Sequence, residues 1–335
     1  MIDFLHLKAD YYVLENTLTP VLWRETSTKT GERVYYHHCR GVTISYRPES
    51  GRWNIAGKII ALIENTHVLN PDDIYGRDLT EFVNEINCYM QTLLTVPMLD
   101  ILDFEVNRID YCFNINTPHV EEYLDVLDRA FRQVNNGNRV DYTQEKRLNG
   151  SVYIKTMGDY KANTRRNYVL NYYDKFDRLE YLREKGQPIA DADWKYAENI
   201  LRLEVQCGFQ FIKQLCADLG CSRCLGDLLD YRAAYYAHAK IYGRVFKGDA
   251  SQDFLTYKLA KEQFKSKAAL RTLEWSAEGH DIAGTKFAQG RKLVKEAGIY
   301  PYAFIMKGSG VEVLANPLRL IWDKLVDIGA VEDCD

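Results

Sequence analysis

Residues 107–115 read Asn107-Arg108-Ile109-Asp110-Tyr111-Cys112-Phe113-Asn114-Ile115, and their alternation decides the fold. Successive side chains of a strand point to opposite faces. Ile109, Tyr111, Phe113 and Ile115 therefore share one face and make a core. Arg108, Asp110, Cys112 and Asn114 share the other, so Asp110 points away from that core. The strand is expected to run from Phe104 to Ile115, because β-branched and aromatic residues fit a pleated, half-buried surface.

Three further stretches are two-sided in the same way. In Ser151 to Met157, Val152 and Ile154 face the core while Tyr153 and Lys155 face outward. In Asn167 to Lys175, Tyr168, Leu170 and Tyr172 are core, and Val169, Asn171, Tyr173 and Lys175 lie opposite. In Asn199 to Gln206, with Cys207 just beyond, Leu201, Leu203, Val205 and Cys207 form one face; Ile200, Arg202, Glu204 and Gln206 form the other. Earlier strands are expected at Val34–Tyr36, Val42–Tyr46 and Ile55–Ile63, punctuated by Gly41, Pro48-Glu49-Ser50-Gly51 and Gly57.

Between these strands the apolar period changes to that of a helix. Asp78 and Glu81 form a capping-box pattern, followed by Leu79, Phe82, Val83, Ile86 and Met90 at helical spacing. Thr117-Pro118 opens a second helix, and a charged helical segment fills 176–199. Past Gly208 the chain reads as helical, over 225–242, 253–267, 285–297 and 317–328. The order predicts an α+β fold of antiparallel sheets with helices on one face and an open face opposite. It also suggests two similar halves followed by a C-terminal helical domain. The expected boundaries are 1–214 and 215–335.

The 335 residues are 46% apolar and 27% charged, as in an ordinary globular protein. No run approaches the roughly 18 apolar residues of a membrane span. The start, MIDFLHLKAD, has no basic segment leading into an apolar one, so a cytoplasmic protein away from membranes is expected. Eight cysteines then read as reduced thiols. Cys221-Ser222-Arg223-Cys224 has the form of half a zinc site, with Cys207 and Cys216 as candidate partners, but the spacing is irregular and free thiols are the preferred reading. The net charge of −4 conceals segregation: 14 acids face 2 bases over 64–128, 7 bases face 2 acids over 146–175, and 13 bases face 7 acids over 232–296. The two basic regions, including the loop 158–166 with Arg165 and Arg166, suit a polyanion, unless they are simply solvated faces.

The outward face gathers Asp110, Glu204, Tyr153, Tyr173, Lys155, Lys175, Arg108 and Arg202. Two carboxylates suit a hard cation such as Mg²⁺ or Mn²⁺, with coordination positions left for phosphate oxygens. A phenol with a pKa of about 10 needs such help to act as a nucleophile. Lys and Arg would neutralise charge developing on a phosphate under attack. Attack by Tyr173 on a DNA phosphodiester would give a phosphotyrosine ester and a free hydroxyl end. Two other readings use the same residues. Asp110 and Glu204 could simply pair with Arg108 and Arg202, or the face could bind single-stranded nucleic acid without catalysis.

Asn107-Arg108-Ile109-Asp110, Gly150-Ser151-Val152-Tyr153-Ile154-Lys155, Tyr172-Tyr173-Asp174-Lys175 and Leu201-Arg202-Leu203-Glu204-Val205 occur in the order found in rolling-circle replication initiators. The chain resembles the phage and plasmid replication proteins of the gene II/X type. It is similar also to plasmid and transposon initiators with a carboxylate-bound metal. Gly290-Arg291-Lys292-Leu293-Val294-Lys295-Glu296-Ala297-Gly298-Ile299-Tyr300-Pro301 resembles their C-terminal part, and Arg291 and Lys292 join the candidate DNA contacts. The resemblance implies a site-specific nickase and rejoining enzyme. Tyr173 would be its nucleophile and Lys175 a catalytic cation beside it. Asp110 and Glu204 would be the metal ligands, and a single-stranded or hairpin origin the substrate. Host helicase and polymerase would be partners, and the helical domain could bind origin duplex or form a homodimer. The two-histidine metal triplet of many such nickases is absent here, since His37 and His38 are adjacent and the other five histidines isolated. The third ligand is therefore not identified.

Overall fold

The computed structural model describes residues 2–26, 31–62, 79–132, 140–142, 151–156, 167–246, 252–305 and 310–330. Among these, ten strands form one sheet: β1 (Ile2–Asp10), β2 (Trp23–Thr26), β3 (Arg33–Cys39), β4 (Val42–Arg47), β5 (Arg52–Gly57), β6 (Glu105–Asn116), β7 (Val140–Tyr142), β8 (Ser151–Thr156), β9 (Tyr168–Asp174) and β10 (Ile200–Gly208). Their order is β2-β3-β4-β5-β1-β6-β10-β9-β8-β7. The chain is mixed α+β, with a large antiparallel sheet and a helical C-terminal region. It clusters into two compact units, residues 1–113 with 206–237 and 328–334, and residues 114–205 with 238–327 and 335.

In the first unit, burial alternates strictly along β4 and β5. Val42, Ile44, Tyr46, Trp53, Ile55, Leu5 and Leu7 form the core face, where Tyr46 and Trp53 stack at 4.5 Å. The two-residue turn between β3 and β4 holds Arg40 at φ 47° and Gly41 at φ 80°. Both values are positive, as the favoured hairpin turns require, and glycine meets that demand without strain. Helix α1 (Leu79–Gln91) buries Phe82, Val83, Ile86 and Met90, and its Tyr89 hydroxyl meets His37 Nε2 at 2.7 Å. Asp78 of the expected capping box lies outside the described residues. The Tyr111 hydroxyl donates to Leu228 O at 2.8 Å, fixing the core side of β6 as its alternation requires.

In the second unit, β8 and β9 pair antiparallel with Ser151 opposite Tyr173, Tyr153 opposite Asn171 and Lys155 opposite Val169. Helix α2 (Val120–Arg132) follows Thr117-Pro118, and α3 (Lys175–Glu184) and α4 (Asp191–Ala197) together occupy the charged segment. Arg129 of α2 donates to Ser276 O at 3.0 Å and to Phe304 O, tying the C-terminal segment to this unit.

Several elements differ from the sequence reading. β1 and β2 are additional strands: the first carries a lysine, two aspartates and a histidine among its apolar residues, and the second is exposed throughout, so neither has a strong periodic signal. β5 ends at Gly57, and residues 59–62 form a 3-10 turn. The stretch 253–267 is not one helix but strand β11 (Phe254–Thr256) followed by a short helix, Tyr257–Lys261. β11 lies between β12 (Phe304–Ile305) and β13 (Val313–Leu314) in a small sheet of its own. A helix at Phe209–Leu219, closed by Gly220 at φ 67°, precedes the expected 225–242 helix, which is broken at 229–230.

Candidate functional site

Asp110 stands on β6, next but one to Arg108. The guanidinium is bidentate on the carboxylate, with Nε to Oδ1 at 2.8 Å and Nη2 to Oδ2 at 2.6 Å. Its far side lies 4.5 Å over the Phe4 ring. Asp110 is only 2% exposed, and the fork offsets part of the cost of burying its carboxylate.

On β10, Arg202 and Glu204 are both buried, with Arg202 Nε 3.6 Å from Glu204 Oε2. Arg202 Nη1 also donates to Asn114 Oδ1 at 3.3 Å, and Asn114 Nδ2 donates to the Tyr196 hydroxyl at 2.8 Å. Asn114 has the strand parity of Asp110, which is the signal that marks it in the sequence. Tyr196 comes from α4 and carries no sequence signal, because tertiary packing alone brings it to β10.

Tyr173 lies on β9, 9% exposed, on the side that carries Ser151 and Tyr153 of β8. Its neighbour Tyr172 is fully buried against the His238 ring, 6.4 Å away, and burial pushes its phenol well above the usual range. Lys175 is not a strand residue: β9 ends at Asp174, which caps α3 by accepting from Phe176 N at 2.7 Å. Lys175 is buried in the first turn of that helix. The Asp174 carboxyl is raised by its burial, which the helix N–H groups partly oppose.

The expectation of a bare face is thus corrected along β6, β9 and β10. Asp110, Arg202, Glu204, Tyr173 and Lys175 are buried. The physical reason is visible in the two arginines, which fold back over their own strands onto the carboxylates; pairing is what makes burial of such charge tolerable. Both ion pairs that compete with metal binding are formed.

The remaining candidates are scattered. Arg165 and Arg166, and the side chain of Lys155, lie outside the described residues. Arg291 donates to Ile282 O and, at 2.9 Å, to Gly284 O, so it staples a loop. Lys292 is exposed and 3.7 Å from Glu296. Among the described residues no group of three or more His, Cys, Asp or Glu is gathered as a metal centre. Asp110 and Glu204 carry the hard oxygens that Mg²⁺ or Mn²⁺ takes, and in this structure each faces an arginine instead. Cys207 is a poor zinc ligand, its thiol held well up by burial and by Asp110. Burial and Cys221 likewise push Cys216 to about 12. Among the described residues no helix is long and apolar enough to cross a membrane.

No curated protein matches the chain. Residues 68–231 match the Phage_CRI family, described as the N-terminal part of a phage replication-associated protein. That stretch contains Arg108, Asp110, Tyr173, Arg202 and Glu204. Over residues 68–231, just under half of its length, the chain is thus similar to this family of replication-associated proteins, as its motifs led one to expect.

Proposed function

We propose that this protein nicks and rejoins one DNA strand at a replication origin, using Tyr173 as nucleophile and a divalent cation held by Asp110 and Glu204. The observation that carries the reading is the set of charged and amide side chains buried on one strand parity. Asp110 and Asn114 alternate on β6, Arg202 and Glu204 alternate on β10, and Asn114 is bonded to Arg202. Buried charge at this density is costly to stability, and such expense is typical of functional sites.

In this reading the Tyr173 oxygen forms a bond to phosphorus while the P–O3′ bond breaks. The phenolic proton passes to solvent and the leaving 3′ oxygen gains one, so a 5′-phosphotyrosine and a 3′ hydroxyl result. The reverse step rejoins the strand without ATP. A bound Mg²⁺ or Mn²⁺ would supply polarisation of the phosphate. Arg108 and Arg202, released from the carboxylates, would face the phosphate oxygens, and Lys175 would add positive charge near the nucleophile. Tyr172 faces the core on the opposite side of β9, against the His238 ring, and has no part in this reading. The C-terminal segment, the host helicase and polymerase, and a second copy of the chain are proposed partners in origin binding and strand synthesis.

A nicking assay on supercoiled plasmid with Mn²⁺ tests the reading. Asp110→Asn and Glu204→Gln should each lower nicking about 100-fold or more while DNA binding persists. Nicking that proceeds unchanged in both variants, or in the presence of a chelator, would overturn it.

A further inference from the structure

The face of the first unit opposite its core is not buried like that of β6, β9 and β10. On β4 the residues Thr43, Ser45 and Arg47, on β5 Arg52, Asn54 and Ala56, and on β1 His6 and Lys8 are all partly exposed. Register places them side by side: Tyr36 opposite Ser45, Ser45 opposite Asn54, Asn54 opposite Lys8, and His6 opposite Arg108. The row therefore ends at Arg108 and Asp110.

Its other end is aromatic. Trp23 on edge strand β2, 40% exposed, pairs with Tyr36 on β3. The His38 ring lies 4.9 Å from Trp23 and 6.0 Å from Tyr36, nearly parallel to the latter at 16°. Trp23 Nε1 donates to Glu25 and His38 Nδ1 meets Thr43 Oγ1 at 2.9 Å, so the rings are held in place. Three rings at the surface, one on the edge strand β2 and two on its neighbour β3, contribute little to the core. Their arrangement offers what bases stack on. Four cations line the row: Lys8 and Arg52 share Asp10 at 3.3 and 3.1 Å, Arg108 pairs with Asp110, and Arg47 is the fourth. Arg47 Nε has no hydrogen-bond partner among the described residues.

We propose that the Trp23–Tyr36–His38 cluster is a base-stacking platform for single-stranded DNA, and that the row from Tyr36 through Ser45, Asn54 and His6 to Arg108 is the track along which the strand reaches Asp110. The proposal rests on the nicking function proposed above. From β2 to β6 the track spans five strand spacings, about 24 Å. That length suits a stretch of several nucleotides, within the roughly 4–16 that single-strand-binding folds cover.

The test uses full-length Tyr173→Phe protein without metal, so that cleavage plays no part, and a fluorescent 15-nucleotide oligo-dT. Trp23→Ala and His38→Ala in that background should each weaken binding about 10-fold, with unchanged thermal midpoint, and Trp23→Phe should recover most of the loss. Oligo-dT should also quench the fluorescence of Trp23, measured as the difference between this protein and its Trp23→Phe variant. If the Tyr173→Phe protein binds no oligo-dT at all, the DNA reading itself fails and the platform with it. If it binds, but Trp23→Ala and His38→Ala bind equally well, the platform alone is overturned. Binding of an oligo-U RNA ten times tighter than oligo-dT would overturn the assignment to DNA.

Discussion

At the scale of single residues, the two neighbouring tyrosines of β9 illustrate how one pleat position separates two chemistries. Tyr172 points into the core, and its hydroxyl has no hydrogen-bond partner among the described residues. An unsatisfied buried hydroxyl costs about 1–3 kcal/mol. Tyr172→Phe is therefore expected to leave DNA nicking intact and to hold or raise the thermal midpoint; a marked fall in midpoint would contradict this. Tyr173 points the other way, and this division was legible in the sequence from alternation alone. The burial of Asp110 and Glu204 was not legible. Parity tells which face a side chain takes, but not whether an arginine two residues away folds back over it. The pairings at 2.6 Å and 3.6 Å are matters of rotamer and packing, which no spacing rule encodes.

At the scale of elements, strong periodicity was readable and weak periodicity was not. β6, with four alternate apolar residues, begins and ends within one residue of its expected limits. β2 has no apolar face to announce it, and is a strand only because β3 supplies its partner. The C-terminal helices behave similarly. Helices Lys267–Ala277 and Ala288–Glu296 pack where Gly290 meets Thr272, so closely that a Cβ there would lie 1.9 Å from Thr272 Oγ1 and 2.3 Å from Ala268 O. The core beneath them is built from Ala269, Leu273, Ala277, Val294 and Phe304. Gly290→Ala should thus overpack this contact and destabilise the protein by about 1–3 kcal/mol, read as a lower midpoint in urea. An unchanged midpoint would mean that the helices separate freely. Gly290 stood within a motif quoted for its basic neighbours, and its structural role appears only once the second helix is beside it.

At the scale of the molecule, the second unit stores many phenols away from water. Tyr172, Tyr242 and Tyr300 are held above the ordinary range chiefly by burial, and Tyr123 is pushed up to about 12 for the same reason. Each keeps its proton in the folded chain at a pH where the unfolded chain has lost it. The unfolded state then binds fewer protons, so stability falls as pH rises through about 10. Midpoints recorded from pH 8 to 11 should drop steadily above 10, with phenolate absorbance appearing together with unfolding. A flat profile would show these phenols to be accessible. The family match covers residues 68–231, and the buried charges on β6 and β10 within that range are the site proposed above. The most direct test of that site is covalent. Incubated with Mn²⁺ and a pool of single-stranded and hairpin oligonucleotides, the protein should become joined to DNA. Peptide mass spectrometry should then find the 5′-phosphate on Tyr173 and no adduct in Tyr173→Phe. An adduct that survives this substitution, or one mapped to Tyr153, Tyr172 or Tyr196, would contradict the account.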